Sequence, residues 1–137
     1  MSILQTQTTS FKTELYTGVH NLSTNTLKIA LYTASADLNE ATTAYSSVNE
    51  VSGTGYNPGG VALTGVTISS SGYTAFVDFA DVVFGASVTA RCALIYNVTQ
   101  GNKSIAVLDF GSDKTSINFT ITMPANTATA ALIRSSN

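Results

Sequence analysis

From Ile117 to Met123 apolar and polar residues alternate without a break, with Ile117, Phe119, Ile121 and Met123 on one side and Asn118, Thr120 and Thr122 on the other. Successive side chains of an extended chain point to opposite faces, so this order fits a strand with one buried face and gives a helix no continuous apolar stripe. A period of two begins at Leu27, Ile29 and Leu31 and shows again in Tyr73, Ala75, Val77 and Phe79. Further strands are expected over residues 61–69, with a phase slip at Gly65, and over 82–84, 88–96, 103–110 and 127–134. Polar turn sequences separate most of them, among them Ser70-Ser71-Gly72 and the run from Asn97 to Asn102.

So many short strands predict an all-β chain folded as a two-sheet antiparallel sandwich, jelly-roll-like, with a closed barrel as the structural alternative. One short N-terminal helix precedes them. Ser10 is placed to cap it, and Phe11, Leu15 and Val19 recur at a spacing of four over residues 11–20. Residues 1–9 lack periodicity and are expected as a flexible arm, leaving residues 10–137 as a single domain. A length of 137 residues suits one hydrophobic core. The connection over residues 33–58, rich in Gly, Ser and Thr, is long for such a domain, and loops of that length commonly serve binding or assembly.

Charge is scarce. Asp, Glu, Lys and Arg make up 10% of the chain, against roughly a quarter in an average soluble domain. A surface of neutral hydroxyls and amides suits a chain built into a larger assembly, where like charges on adjacent copies repel. The six Lys and Arg residues are scattered, which argues against nucleic-acid binding. No run of eighteen apolar residues is present to cross a bilayer as a helix, and the N-terminus lacks the pattern of a signal peptide.

Chemistry is equally sparse. Cys92 is the only cysteine, sits in an apolar alternating run and reads as a buried structural thiol. With one Cys and one His the chain is short of ligands for a structural zinc site. His20 falls near the end of the expected helix and reads as a capping or surface residue. Asp37, Glu40 and Asp113 do not form the dense ligand loop that calcium requires, and Asp78 is expected to point out of its sheet rather than into a cleft. The glycines from Gly53 to Gly60 lack the Lys-Ser/Thr pair and following helix of a phosphate-binding loop. The residues therefore indicate no enzyme, no cofactor and no metal site. Tyrosines buried at interfaces keep a polar handle, and Tyr32, Tyr45, Tyr56, Tyr73 and Tyr96 together raise the expectation of a recognition surface.

The stretch Leu27-Lys28-Ile29-Ala30-Leu31-Tyr32-Thr33-Ala34-Ser35-Ala36-Asp37-Leu38, followed by Thr42-Thr43-Ala44-Tyr45, by Asn49-Glu50-Val51-Ser52-Gly53-Thr54-Gly55-Tyr56 and by Gly59-Gly60, resembles a small family of tailed-bacteriophage virion proteins. In size and strand layout the chain is similar to the jelly-roll cement or decoration proteins found on the outside of some phage heads. The resemblance implies a non-enzymatic virion protein on the outer surface of the phage head. It also implies the major capsid protein as partner and self-association as a dimer or trimer, with no nucleic acid or membrane involved. Tyr32, Tyr45, Glu50, Tyr56 and Tyr96 are the candidate interface residues. The alternatives are a phage tail or baseplate component and a carbohydrate- or receptor-binding module.

Overall fold

The longest strands pair in the middle of the fold. In the computed structural model, which describes residues 3–135, β2 (Leu27–Tyr32), β7 (Val88–Asn97) and β8 (Lys103–Ser116) run antiparallel side by side. Two short strands, β1 (Thr6–Gln7) and β3 (Val61–Ala62), complete a five-stranded sheet of order β1-β8-β7-β2-β3. A second layer is built in two pieces. One is the three-stranded sheet β10-β5-β4, from Ile133–Ser135, Thr74–Asp78 and Thr67–Ser71, and the other pairs β6 (Val82–Val83) with β9 (Thr120–Ile121).

One apolar core lies between the layers. Leu27, Ile29 and Leu31 of β2, with Ala93, Ile95 and Ile105 from the hairpin, meet Val77, Phe79, Phe84, Phe119, Ile121 and Ile133. Full burial of such a side chain stabilises by about 1.5–3 kcal/mol, so this layer contact is the main source of stability. Burial alternates strictly over residues 81–90, with Val82, Phe84, Ala86, Val88 and Ala90 inside. That segment starts in the small sheet and ends in the large one, bending at Gly85, whose φ is 63°. The all-β antiparallel sandwich with one short N-terminal helix expected from the sequence is the fold observed.

Several local expectations require correction. The helix α1 spans Thr9–Tyr16 and is capped by Thr8, whose hydroxyl accepts from the Phe11 N–H, rather than by Ser10. Thr8 holds that place because its own N–H donates to the Ile105 carbonyl, which fixes the chain on β8 one residue before the helix begins. The helix stops short of Val19 and His20. Gly18, at φ 75°, donates to the Leu15 carbonyl while Val19 donates to that of Glu14, the two bonds of a Schellman cap. The expected arm over residues 1–9 is docked from Ile3 onward: Thr6 and Gln7 pair with Val107 and Ala106, and Leu4 donates to the Leu38 carbonyl. Its first two residues lie outside those described.

Residues 61–69 divide at Gly65, φ 63°, into strands of two different sheets, so the phase slip marks a change of layer. In the Ile117 to Met123 run, Phe119, Ile121 and Met123 are buried, but Ile117 is 87% exposed because β8 ends at Ser116 and the chain turns before β9. Of residues 127–134 only Ile133 and Arg134 enter a strand. Ahead of them Ala131 donates to the Thr127 carbonyl, closing a single helical turn.

Gly60 shows how tightly the long connection meets the sheet. At φ 82° it lies so close to β2 that a Cβ there would fall 1.8 Å from the Ile29 carbonyl oxygen. Gly101 has a similar φ of 74° and open space around it. Gly60→Ala is therefore expected to cost at least about 3 kcal/mol or to prevent folding, whereas Gly101→Ala costs only the backbone strain of about 1–2 kcal/mol. Urea unfolding of the two variants checks this, and equal losses would refute the close-approach argument.

Candidate functional site

The outer face of the five-stranded sheet is also buried. Ala30, Tyr32, Cys92, Leu94, Tyr96 and Val107 point away from the main core and form a second apolar cluster with Ala36 and Leu38, flanked by Ile3 and Tyr45. The cover is the connection after β2. Its first half lies along the β8 edge, where Ser104 donates to the Thr43 carbonyl and Tyr45 to that of Asn102. Its second half lies along the β2 edge beyond β3, where Thr33 donates to the Asn49 carbonyl and Val51 to that of Leu31. Between these anchors it passes over β7.

One carboxylate gathers the cover. Glu50 Oε1 accepts from the Tyr45 hydroxyl at 2.5 Å, and Oε2 accepts from the Tyr56 hydroxyl at 2.6 Å and the Gly59 N–H at 2.8 Å. The Tyr56 oxygen in turn accepts from the Leu31 N–H at 3.0 Å, so a side chain supplies the acceptor that a missing neighbour strand would have offered. Tyr96 donates to the Gly59 carbonyl at 2.6 Å, and its ring stacks on Tyr45 with centroids 4.7 Å apart. Tyr32 donates to the Ser46 carbonyl at 2.6 Å. Two further glycines of this segment sit against the strand that leads into β7. A Cβ on Gly53 would come within 2.6 Å of the Ser87 oxygen, and one on Gly55 within 2.5 Å of the Gly85 oxygen.

All five candidate interface residues thus come together, but in a different role. Tyr32, Tyr56 and Tyr96 are 1%, 9% and 3% exposed, so they are unavailable to a partner; Tyr45 and Glu50 are half-buried. Only Tyr73, at the tip of the β4–β5 turn, is an open tyrosine among the five first grouped for recognition. The reason is the supply of acceptors within the fold. Each phenol that loses water beneath the cover finds a carboxylate or carbonyl acceptor, and a satisfied phenol is inexpensive to bury. Gly59 is the member that residue type could not reveal, since it contributes only backbone.

Burial pushes all four phenols up from their ordinary value. For Tyr45 and Tyr56 the hydrogen bond to Glu50 adds to the rise, and for Tyr32 and Tyr96 the nearby Glu50 charge does so, bringing Tyr96 to about 12. Burial likewise pushes the Cys92 thiol up to about 11, in keeping with an inert structural cysteine. The arrangement holds protons in place rather than moving them.

His20, expected as a capping or surface group, is buried instead. Its Nδ1 faces the Asn97 amide nitrogen at 3.0 Å, and Asn97 Oδ1 is turned to the Gln100 N–H. An amide nitrogen can only donate, so Nδ1 accepts and the ring proton lies on Nε2, which donates to Glu14 at 2.8 Å. The network ties α1 to the β7–β8 turn. Arg91 and Asp109 pair across the register shift in that hairpin, and both are partly exposed, so the pair adds little stability.

Among the described residues no group of three or more His, Cys, Asp or Glu is placed to hold a metal ion, and no helix is long and apolar enough to cross a membrane. No protein-family model, curated protein or solved structure matches the chain.

Two predictions follow from this cluster. Glu50→Ala leaves two phenols and an N–H without their acceptor and is expected to cost about 2–4 kcal/mol. Glu50→Gln retains one acceptor oxygen and costs less, and urea midpoints compare the two variants directly. The second concerns pH. Above about pH 10 an unfolded tyrosine releases its proton while the buried ones keep theirs, so the folded state holds more protons and stability falls as pH rises. The contribution is fully present below pH 10 and, for Tyr96, is lost as pH approaches 12. Unfolding free energy should fall by about 1.4 kcal/mol per pH unit for each such group. A flat profile between pH 9 and 11.5 would contradict the burial of these hydroxyls.

Proposed function

We propose that the chain is a non-enzymatic virion structural protein of a tailed bacteriophage, acting as a decoration or cement protein on the outer surface of the head. In this reading it bridges and stabilises neighbouring major capsid subunits. The observation that carries the proposal is the use to which the resemblance-bearing segment is put. Tyr45, Glu50, Gly53, Gly55, Tyr56 and Gly59 spend their polar groups and close approaches on one another and on the sheet. A distinctive motif consumed in building a rigid covered sheet suits a scaffold that works by shape and contact area.

The surface supports the same reading. Charged residues are 10% of the chain, while Tyr16 at the end of α1, Tyr73 in the β4–β5 turn and Ile117 in the bend after β8 stand 92%, 91% and 87% exposed. Weak charge allows copies to be set close together on a lattice, and projecting apolar side chains provide contact points. The carbohydrate-binding alternative loses most of the residues that suggested it, because the hydroxyls of Tyr32, Tyr45, Tyr56 and Tyr96 are engaged within the fold.

A cryo-electron-microscopy map of the intact particle carrying this protein tests the proposal. Density at repeated sites over the head lattice is expected, together with lower heat resistance in heads assembled without the protein, because a ligand that binds only the assembled state stabilises that state. Density confined to the tail would overturn the head assignment in favour of a tail or baseplate component.

A further inference from the structure

Sheet edges expose unpaired backbone N–H and C=O groups, and most edges in this fold are guarded. The β1 and β3 strands are two residues long, β10 carries Arg134, and the distal half of β8 carries Asp109, Asp113 and Lys114 around the irregularity at Gly111. Short length, charge and bulging are the usual means of keeping an edge from pairing with another chain. The edge strand β4 has none of them. It is five residues long, pairs in unbroken register with β5, and reads Thr-Ile-Ser-Ser-Ser without a charge or a proline.

The β4–β5 turn fixes which of its groups are free. Ser71 and Thr74 flank a two-residue turn of Gly72 and Tyr73. Flanking residues of such a turn form a hydrogen-bonded pair, and bonding alternates along the strand. Thr67, Ser69 and Ser71 therefore face β5, and the N–H and C=O groups of Ile68 and Ser70 face outward. Beside this edge runs an apolar groove bordered by Leu15, Tyr16 and Ile68, which are 40%, 92% and 54% exposed.

We infer that β4 is a homodimer edge, pairing antiparallel with β4 of a second copy about a two-fold axis through Ser69. In that register Ile68 of each copy lies opposite Ser70 of the other, and each opposed pair exchanges two hydrogen bonds. The four outward groups of each copy are satisfied at once. A second copy is the fitting occupant because the edge is its own complement: it presents two donors and two acceptors symmetrically about Ser69, and no charge opposes its like across the axis. The contact closes on itself and leaves neither copy with a free β4 edge. The groove-lining Leu15, Tyr16 and Ile68 add apolar area on one side of the joined sheet. This gives a surface to the self-association that the resemblance implies and does not depend on where in a particle the protein sits.

Sedimentation equilibrium of the isolated full-length protein over a wide concentration range gives the test. The expected mass is twice the 14.2 kDa of one chain. Ser70→Pro removes an outward N–H without touching the β4–β5 ladder, and Ser70→Lys adds the charge that the edge lacks. Each is expected to raise the dimer dissociation constant at least tenfold while leaving the far-ultraviolet circular dichroism unchanged. Slow hydrogen exchange at the Ile68 and Ser70 amides of the unaltered protein is expected and supports the pairing even if both variants fail to fold. A mass of one chain at every concentration, rapid exchange at those two amides, or an oligomer indifferent to both variants would overturn it. A dimer found in a protein absent from phage heads would instead remove only the head-decoration reading.

Discussion

A strand pair buried on both faces has no water to fall back on, and the central hairpin of this fold is in that position. Beneath the second layer its side chains are apolar and need nothing further. Beneath the connection after β2 they include Tyr96, beside which stands Tyr32 of β2, and the edge of β2 carries a Leu31 N–H that no strand reaches. The cover can lie flat only if each of those polar groups is matched: the Ser46 and Gly59 carbonyls accept from the two tyrosines and the Tyr56 oxygen from Leu31, and Tyr56 and Gly59 are themselves held by the Glu50 carboxylate. Three donors converge on it from positions far apart in the loop, which sets the path of the loop more firmly than any apolar contact could. Charge-assisted hydrogen bonds of this kind are stronger than neutral ones and carry directional information.

Smaller polar knots attach the remaining pieces. The Ser104 hydroxyl donates to the Thr42 carbonyl and its oxygen lies 2.9 Å from the Thr8 hydroxyl, so the helix cap, the long connection and β8 meet at one place. His20, Asn97, Asn25 and Glu14 form another. Asn97 is fully buried, and its amide is occupied on both sides: the nitrogen donates to His20 and Asn25, and the oxygen accepts from Gln100. A chain with few charges thus uses neutral groups and single carboxylates for tasks that other proteins assign to ion pairs.

The parts of the fold visible in the sequence were those where local pattern and tertiary partner agree. Residues 27–32 and the hairpin across Asn97 to Asn102 are rich in β-branched and aliphatic residues and have neighbours on both sides, so propensity and context pull the same way. Ile117 misleads because alternation continues one residue beyond the point where pairing stops. Thr8 outcompetes Ser10 as the helix cap through a bond to Ile105, almost a hundred residues away, and local pattern cannot anticipate that. The tyrosine and glutamate cluster was legible by residue type but not by role: the amphipathic character that suits tyrosine to an interface suits it equally to a buried seam, and only the position of Glu50 in space distinguishes them.

The lone thiol acquires a meaning from its roof. Cys92 lies on β7 beneath the cover, wholly shielded and held in its protonated form. Disulfide exchange requires an accessible thiolate, so folded copies brought close together cannot be joined through sulfur. Any contact between folded copies is therefore non-covalent, and one formed in the wrong place can dissociate and form again.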